Sequence, residues 1–133
     1  MQLPHNATVA VADGETFNLF RNSGDEAGLK LVAVAHEAVE DQPGSGPGHH
    51  GSSANPADGH DQADAHGAGM AGLLNRQVLA GKITKLLVIA APRTLGALRP
   101  HYHAQLSSAL VGEISKDLTG LPTPELEKAI AAA

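Results

Sequence analysis

The sequence of 133 residues contains no cysteine and no tryptophan, and its aromatic side chains are two phenylalanines and one tyrosine. Without cysteine, neither a disulfide nor a thiolate metal site can form. With so few aromatic residues, the hydrophobic core has to be built from valine, leucine, isoleucine and alanine. The length suits one core, and we expect a single domain over residues 1–133.

The sequence also lacks a long hydrophobic run. Its longest strongly apolar stretch, Leu86 to Ala91, is far shorter than the roughly 20 residues that a transmembrane helix needs. The first six residues, MQLPHN, lack the basic and apolar regions of a signal peptide. We therefore expect a cytoplasmic protein with no membrane association.

Acidic residues are missing from a long part of the chain. Residues 65–112 contain no aspartate or glutamate, although the whole chain carries a net charge of −5. Such a segment predicts a basic face that binds an anion or a charged partner. The alternative is that acidic residues from distant segments interleave with it in the fold. The basic residues of this segment, which are the predicted contact residues, are Arg76, Lys82, Lys85, Arg93 and Arg99.

One of these residues, Arg93, has a further physical argument. It follows a predicted strand and stands at the start of a predicted helix. Ligands of α/β sheets tend to bind beyond the carboxyl ends of the strands, and backbone N–H groups at a helix start suit anions.

The first forty residues predict an antiparallel meander of three strands. Small and apolar residues indicate a strand over Ala7–Ala12. Asp13-Gly14 is a strong signal for a type I′ hairpin turn, which needs positive φ at both positions. A second strand over Thr16–Arg21 and a third within residues 29–40 complete the meander.

Helices and strands alternate in the second half. Apolar residues at helical spacing predict a helix over residues 64–80, with Gly81 as its C-cap. The apolar run at residues 85–91 predicts a strand that is buried on both faces. Pro92 then begins a short helix, and Pro100 ends or kinks it. Further segments are short helical turns at residues 101–109, a strand at 110–118 and a last helix capped by Thr123.

The predicted order is β-β-β-loop-α-β-α-β-α. Three hairpin-linked strands followed by αβαβα units predict an α/β fold with a mixed five-stranded sheet and flanking helices. This arrangement is the ribonuclease H-like topology.

A segment rich in histidine, glycine and proline separates the two halves. Residues 41–66 contain almost nothing apolar larger than alanine, so they predict a long flexible loop inside the domain. A metal site needs about four ligands on a fixed scaffold, and nothing in this segment fixes its side chains in advance. Three interpretations stay open: an adventitious zinc or nickel site, a solvated connector, or a loop that binds a partner. The candidate metal ligands are His49, His50, His60 and His66.

No catalytic residues are predicted. A ribonuclease H-like nuclease needs three or four clustered carboxylates for two divalent ions, and the first strand contains none. Hydrolysis by a serine and a histidine from His101–Ser108 lacks the strand–nucleophile–helix elbow. We therefore favour a binding function over an enzymatic one. The carboxylates weighed for a nuclease are Asp13, Glu37, Glu113 and Asp117.

Three segments together carry a family resemblance. They are LPHNATVAVADGETFNLFRN at the start, KLLVIAAPRTLGALRP in the middle and LVGEISKDLTGLPTPELEKAI at the end. In combination they resemble the host attachment family of small bacterial proteins. That family in turn resembles the central domain of archaeal-eukaryotic release factors and of pelota, which is ribonuclease H-like and agrees with the topology above.

The resemblance implies a host attachment binding module whose molecular partner, a protein or RNA, is unknown. The release-factor domain acts through a Gly-Gly-Gln loop at the peptidyl-tRNA ester. This chain has no Gly-Gly-Gln, and its Gln62 stands in HDQAD, so peptide-release chemistry is not carried over. The alternatives are a ribosome- or tRNA-associated factor and a metal-binding protein that uses the histidine-rich loop. The exposed edge of a small sheet also allows a homodimer.

Overall fold

The computed structural model describes residues 1–39 and 58–133. Within these residues the chain forms five strands and four α-helices, with a short 3-10 turn at Arg99–His101. The strands are β1 (Thr8–Ala12), β2 (Phe17–Asn22), β3 (Leu31–Val34), β4 (Leu86–Ala90) and β5 (Leu110–Ser115). The helices are α1 (Asp58–Leu79), α2 (Pro92–Leu98), α3 (Ala104–Ala109) and α4 (Thr123–Ala132).

The five strands form one mixed sheet in the order β3-β2-β1-β4-β5. β2 pairs with both β1 and β3 in antiparallel fashion. β4 pairs with both β1 and β5 in parallel fashion. The prediction of an α/β, ribonuclease H-like sheet, with a three-strand meander followed by αβαβα units, is confirmed.

The core has two layers because the central strands are buried on both faces. Every residue of β1 and β4 is buried. On one face, Ala10 and Val88 belong to a cluster with residues of α1, α2 and α3. On the other face, Val9 and Leu87 belong to a cluster with residues of α4 and with Leu3. The apolar run predicted as a doubly buried strand is therefore the central strand β4.

The turn between β1 and β2 forms by a different mechanism from the predicted one. The described residues with positive φ are Asn6, Gly81 and Gly120, so Asp13-Gly14 does not form a type I′ turn and that prediction is wrong. Instead, Asp13 Oδ1 accepts hydrogen bonds from the backbone N–H groups of Glu15 at 2.7 Å and Thr16 at 2.6 Å. The carboxylate closes the turn in place of a backbone carbonyl, as aspartate commonly does in turns.

Several predicted element boundaries differ from the structure. β5 ends at Ser115, whereas the prediction extended to residue 118. β3 is limited to Leu31–Val34, whereas the prediction extended to residue 40. α1 begins at Asp58, six residues before the predicted start, so residues 58–66 of the predicted flexible loop are helical. The rest of that loop, residues 41–57, lies outside the described residues. Glycines weakened the helix prediction, but Gly67 and Gly69 are buried in the fold, so tertiary packing outweighs their low helix propensity.

The end of α1 and the start and end of α2 agree with the predictions made from Gly81, Pro92 and Pro100. Gly81 has a φ of +79°, which lets the chain leave α1 and lets the backbone N–H of Lys82 donate to the carbonyl of Gln77 at 2.9 Å. Pro92 is the first residue of α2. The chain then continues through Pro100 as the 3-10 turn.

The start of α4 differs from the prediction. Pro122 occupies the N-cap position with φ −59° and ψ 150°, and no side chain caps the helix. Because this proline already sets the extended entry into the helix, Thr123 becomes the first helical residue and the predicted threonine cap is wrong. Buried Leu126 and Ile130 hold α4 against the sheet. Glu127 Oε2 also accepts the backbone N–H of Leu31 at 2.7 Å, which ties α4 to edge strand β3.

The contact between α1 and α2 requires a residue without a side chain at position 67. A Cβ atom added to Gly67 would lie 2.7 Å from both the Cβ and the carbonyl oxygen of Ala97. Since one of these atoms belongs to the backbone of α2, the neighbour cannot rotate away. Gly67 therefore sets how closely the two helices approach.

We expect Gly67→Ala to destabilise the protein by about 1–3 kcal/mol, the usual cost of overpacking a core. Gly72→Ala in the same helix is the matched control, because a Cβ there would meet only the Nη1 atom of Arg76, at 3.5 Å. That control should gain about 0.5–1 kcal/mol from lower backbone entropy in the unfolded chain. Urea unfolding monitored by circular dichroism measures both values. Equal effects of the two substitutions would contradict the close approach.

Candidate functional site

The five predicted basic contact residues do not form one continuous surface. Lys82 and Lys85 precede β4, whereas Arg93 follows it. The five residues of β4 span about 16 Å at 3.3 Å per residue. The two groups therefore stand at opposite ends of the strand, and a small anion cannot contact both.

Arg99 is held by a carboxylate of β5. Its Nε and Nη2 atoms donate to Glu113 Oε1 at 3.1 and 2.9 Å, and the Tyr102 hydroxyl donates to Glu113 Oε2 at 3.0 Å. The hydrogen bond to Glu113 raises the pKa of the Arg99 guanidinium. Burial, and then the hydrogen bond to Glu113, raises the pKa of Tyr102. Glu113 thus neutralises Arg99 and fixes the 3-10 turn to the sheet.

Arg76 is held more loosely by a carboxylate from the segment after β3. Its Nε atom lies 3.9 Å from Glu37 Oε1, and both side chains are about half exposed, at 54% and 45%. The neighbouring Gln77 donates from Nε2 to Glu37 Oε2 at 3.1 Å. A hydrogen bond with its own backbone, then the Gln77 amide and the charges of Arg76 and Lys82, keep the pKa of Glu37 below its usual value.

Arg93 differs from these two arginines. It is exposed at the start of α2, beyond the carboxyl end of β4. Within residues 1–39 and 65–133 it has no carboxylate within ion-pair distance. Acidic residues from outside the acid-free segment therefore interleave with part of it, in agreement with the alternative interpretation of the charge pattern, whereas Arg93 has no such partner among the described residues.

Two acidic residues lie close together beyond the carboxyl ends of the parallel strands. Asp13 follows β1 and Asp117 follows β5, and the Thr119 hydroxyl lies 3.0 Å from Asp13 Oδ2 and 2.5 Å from Asp117 Oδ1. The other carboxylates weighed for a nuclease, Glu37 and Glu113, pair with arginines elsewhere. In the part of the chain that the structure describes, no three histidine, aspartate or glutamate side chains are grouped to hold a metal ion.

The candidate histidine ligands are only partly described. His49 and His50 lie outside the described residues. His60 and His66 belong to α1, where a separation of six residues places the two positions about 120° apart around the helix axis. These positions therefore do not share one helix face. An adventitious zinc or nickel site that uses these four residues stays a prediction.

Asn75 organises the surface around the 3-10 turn, and no sequence pattern predicts this role. Its Nδ2 atom donates to the carbonyl of His101 at 2.9 Å, and its Oδ1 atom accepts the backbone N–H of His103 at 2.9 Å. His103 Nδ1 in turn accepts the backbone N–H of Gln105 at 3.0 Å and caps α3. His103, one of the two histidines weighed with Ser107 and Ser108 for hydrolysis, therefore has a local structural role.

Helices that could cross a membrane are absent from the described residues, since none combines the necessary length and apolar character. A comparison with protein families matches residues 6–130 to the bacterial archaeo-eukaryotic release factor family 12. A search of curated proteins gives no match. The family match supports the release-factor part of the resemblance found in the sequence, and it does not show the host attachment family.

The Asp13 turn generates a prediction on the acid stability of the protein. Burial raises the pKa of Asp13, but hydrogen bonds from the backbone of Glu15 and Thr16 and from the Thr119 hydroxyl outweigh this effect, so that the pKa is lowered. A lowered pKa means that the carboxylate stabilises the fold above the unfolded-state pKa of about 3.9. This stabilisation is lost as the pH falls through the folded-state pKa.

We therefore expect Asp13→Asn to reduce the free energy of unfolding near pH 6 by an amount that shrinks below about pH 4. Solvent screening keeps the effect small because Asp13 is only partly buried. Urea unfolding at a series of pH values measures it, and Thr119→Val tests the hydroxyl contribution. A difference between wild type and Asp13→Asn that is constant down to about pH 3 would show that this carboxylate does not carry the effect.

Proposed function

Because this chain belongs to the bacterial archaeo-eukaryotic release factor family 12, we propose that it is a binding protein that associates with the ribosome or with RNA. The family match covers nearly the whole chain, residues 6–130, and this observation carries the proposal. Association with ribosomes would place the protein in the cytoplasm. The partner is then RNA or a ribosomal protein rather than a small substrate.

The residues support binding more than catalysis. The sequence contains no Gly-Gly-Gln, the group through which the related release-factor domain acts, and Gln62 lies within α1. Asp13 and Asp117 are two carboxylates where a two-metal nuclease needs three or four. Peptide release and nuclease chemistry are therefore not part of the proposal.

The exposed basic residues supply contacts for a polyanion. Arg93 is unpaired within the described residues and stands where ligands of α/β sheets bind. Arginine also suits phosphate because its guanidinium group donates several hydrogen bonds in one plane. The net charge of −5 opposes nonspecific attraction to RNA. Association must then depend on local contacts and weaken with salt.

A host attachment role rests on the sequence resemblance alone, and no comparison supports it. A pull-down with the tagged full-length protein from native cytosol separates the two functions. Enrichment of ribosomal RNA and ribosomal proteins supports ribosome association. Enrichment of another protein without ribosomal components supports the binding module implied by the host attachment resemblance.

We expect the wild-type protein to co-sediment with ribosomes at low salt and to dissociate as salt rises. Arg93→Glu should weaken this association and lower the slope of log K against log salt by about one. Lys128→Glu is the matched control, because it makes the same change of charge on α4, on the opposite face of the sheet. Sedimentation through a sucrose cushion at graded salt provides the measurement.

Absence of the wild-type protein from the ribosomal pellet at every salt concentration would reject ribosome association. Equal weakening by Arg93→Glu and Lys128→Glu would instead reject Arg93 as a contact and leave only an effect of net charge.

A further inference from the structure

The end of α1 presents two basic residues on one surface. Arg76 lies in its last turn, and Gly81 folds the chain back so that the Lys82 backbone bonds to Gln77. Leu79, the last residue of the helix, is 58% exposed, so this end of α1 faces solvent. We call the solvent-facing area around Arg76 and Lys82 the α1-end surface.

A carboxylate of the chain already occupies this surface. Glu37 pairs with Arg76, accepts the Gln77 amide and lies within the electrostatic influence of Lys82. The chain around it is anchored, since the His36 ring nitrogens lie 2.6 Å from the Glu37 carbonyl oxygen and 3.1 Å from the Phe17 carbonyl oxygen. Two residues after Glu37, the Val39 side chain packs against the hydrophobic core. The position of Glu37 is therefore set by the fold.

The Glu37 carboxylate lies at the C-terminal end of α1, where the helix dipole disfavours a negative charge. The C-terminal end of an α-helix carries a partial negative charge, so an anion there is unfavourable and a cation is favourable. Arg76 is favourable at that end, whereas Glu37 is held there by its two cations and by the Gln77 amide. Glu37 thus takes the place that an external anion would take when it binds the same groups.

The two arginine–carboxylate pairs found among the described residues differ in strength. The Glu113 side chain is only 21% exposed. It pairs with Arg99 at 2.9 Å and also accepts a hydrogen bond from Tyr102, so this pair holds the 3-10 turn against β5. The Glu37–Arg76 pair is longer, at 3.9 Å, and half exposed on both sides. Exposed pairs of this kind contribute little, and a phosphate chain that releases counterions from several sites can displace one carboxylate.

We propose that the α1-end surface binds RNA phosphates through Arg76 and Lys82, and that Glu37 is an internal competitor that occupies this surface in the free protein. This inference rests on the proposed function, since it adds to the same RNA association a second contact surface, apart from Arg93, and a means of controlling it. RNA binding replaces one intramolecular carboxylate by phosphate groups and frees Glu37 to solvent. The competitor makes binding weaker than the two cations alone would allow.

The test compares two substitutions that remove one negative charge each. Glu37→Gln removes the competitor. Glu125→Gln is the matched control, because Glu125 also forms an exposed pair, with Lys128 Nζ at 3.7 Å, on α4 at the opposite face of the sheet. Fluorescence anisotropy of a short labelled single-stranded RNA, at low and at high salt, reports the Kd of each full-length variant.

Glu37→Gln should tighten RNA binding by about two- to fivefold relative to Glu125→Gln at low salt, and the difference should diminish at high salt. Arg76→Gln combined with Lys82→Gln should weaken binding, and adding Glu37→Gln to that pair should then change nothing. This loss of the effect in the double-substituted background identifies Arg76 and Lys82 as the groups that Glu37 blocks.

Equal affinities of Glu37→Gln and Glu125→Gln, with wild-type RNA binding intact, would overturn the competitor role and leave the proposed function standing. Absence of RNA binding by the wild-type protein and by Glu37→Gln would overturn the RNA assignment of this surface, whereas the proposed function is decided separately by co-sedimentation with ribosomes. Displacement of the RNA by polyglutamate at equal charge concentration would overturn the assignment to RNA, because it would identify the partner of this surface as an acidic protein segment.

Discussion

The parallel pairing of β1 with β4 is the interaction on which the rest of the structure depends. Both strands are completely buried, and their registered ladder from Thr8–Leu86 to Ala12–Ala90 brings together segments separated by more than seventy positions in the chain. Because the two strands run in the same direction, the residues that follow them, Asp13 and Arg93, lie at the same end of the sheet, beyond the carboxyl ends of the strands. The same pairing sends α1–α3 to one face and α4 to the other.

Charge in this protein is organised by the fold and not by the order of the sequence. The acid-free segment predicts a basic face, but Glu37 and Glu113 enter it from outside and pair with two of its three arginines. The Arg99–Glu113 pair fixes the 3-10 turn to the sheet, whereas the Arg76–Glu37 pair is longer and more exposed. A local excess of one charge in a sequence therefore does not by itself predict the charge of the folded surface.

Much of the fold follows from local signals, whereas the site depends on contacts between distant residues. The apolar run of β4, the glycine at the end of α1 and the proline at the start of α2 each act on neighbouring backbone, so the sequence alone predicts them. The predicted type of the turn at Asp13 is wrong because the Asp13 carboxylate accepts the hydrogen bonds that a backbone carbonyl would otherwise accept. The sequence predicts the start of α1 six residues late because residues 58–63 contain nothing apolar larger than alanine and so show no helical periodicity. The partners of Arg76 and Arg99 have no local signature at all.

The bond from the Leu31 N–H to the Glu127 carboxylate bears on how copies of the chain could associate. An edge strand invites pairing with another chain because its outer backbone groups lack partners. On β3, a side chain from the last helix takes up one of these outer donors, so an added strand would first have to displace it. Within the described residues β5 pairs with β4 alone and forms the opposite border of the sheet. A two-fold dimer built by continuing the sheet would therefore meet less resistance at β5 than at β3.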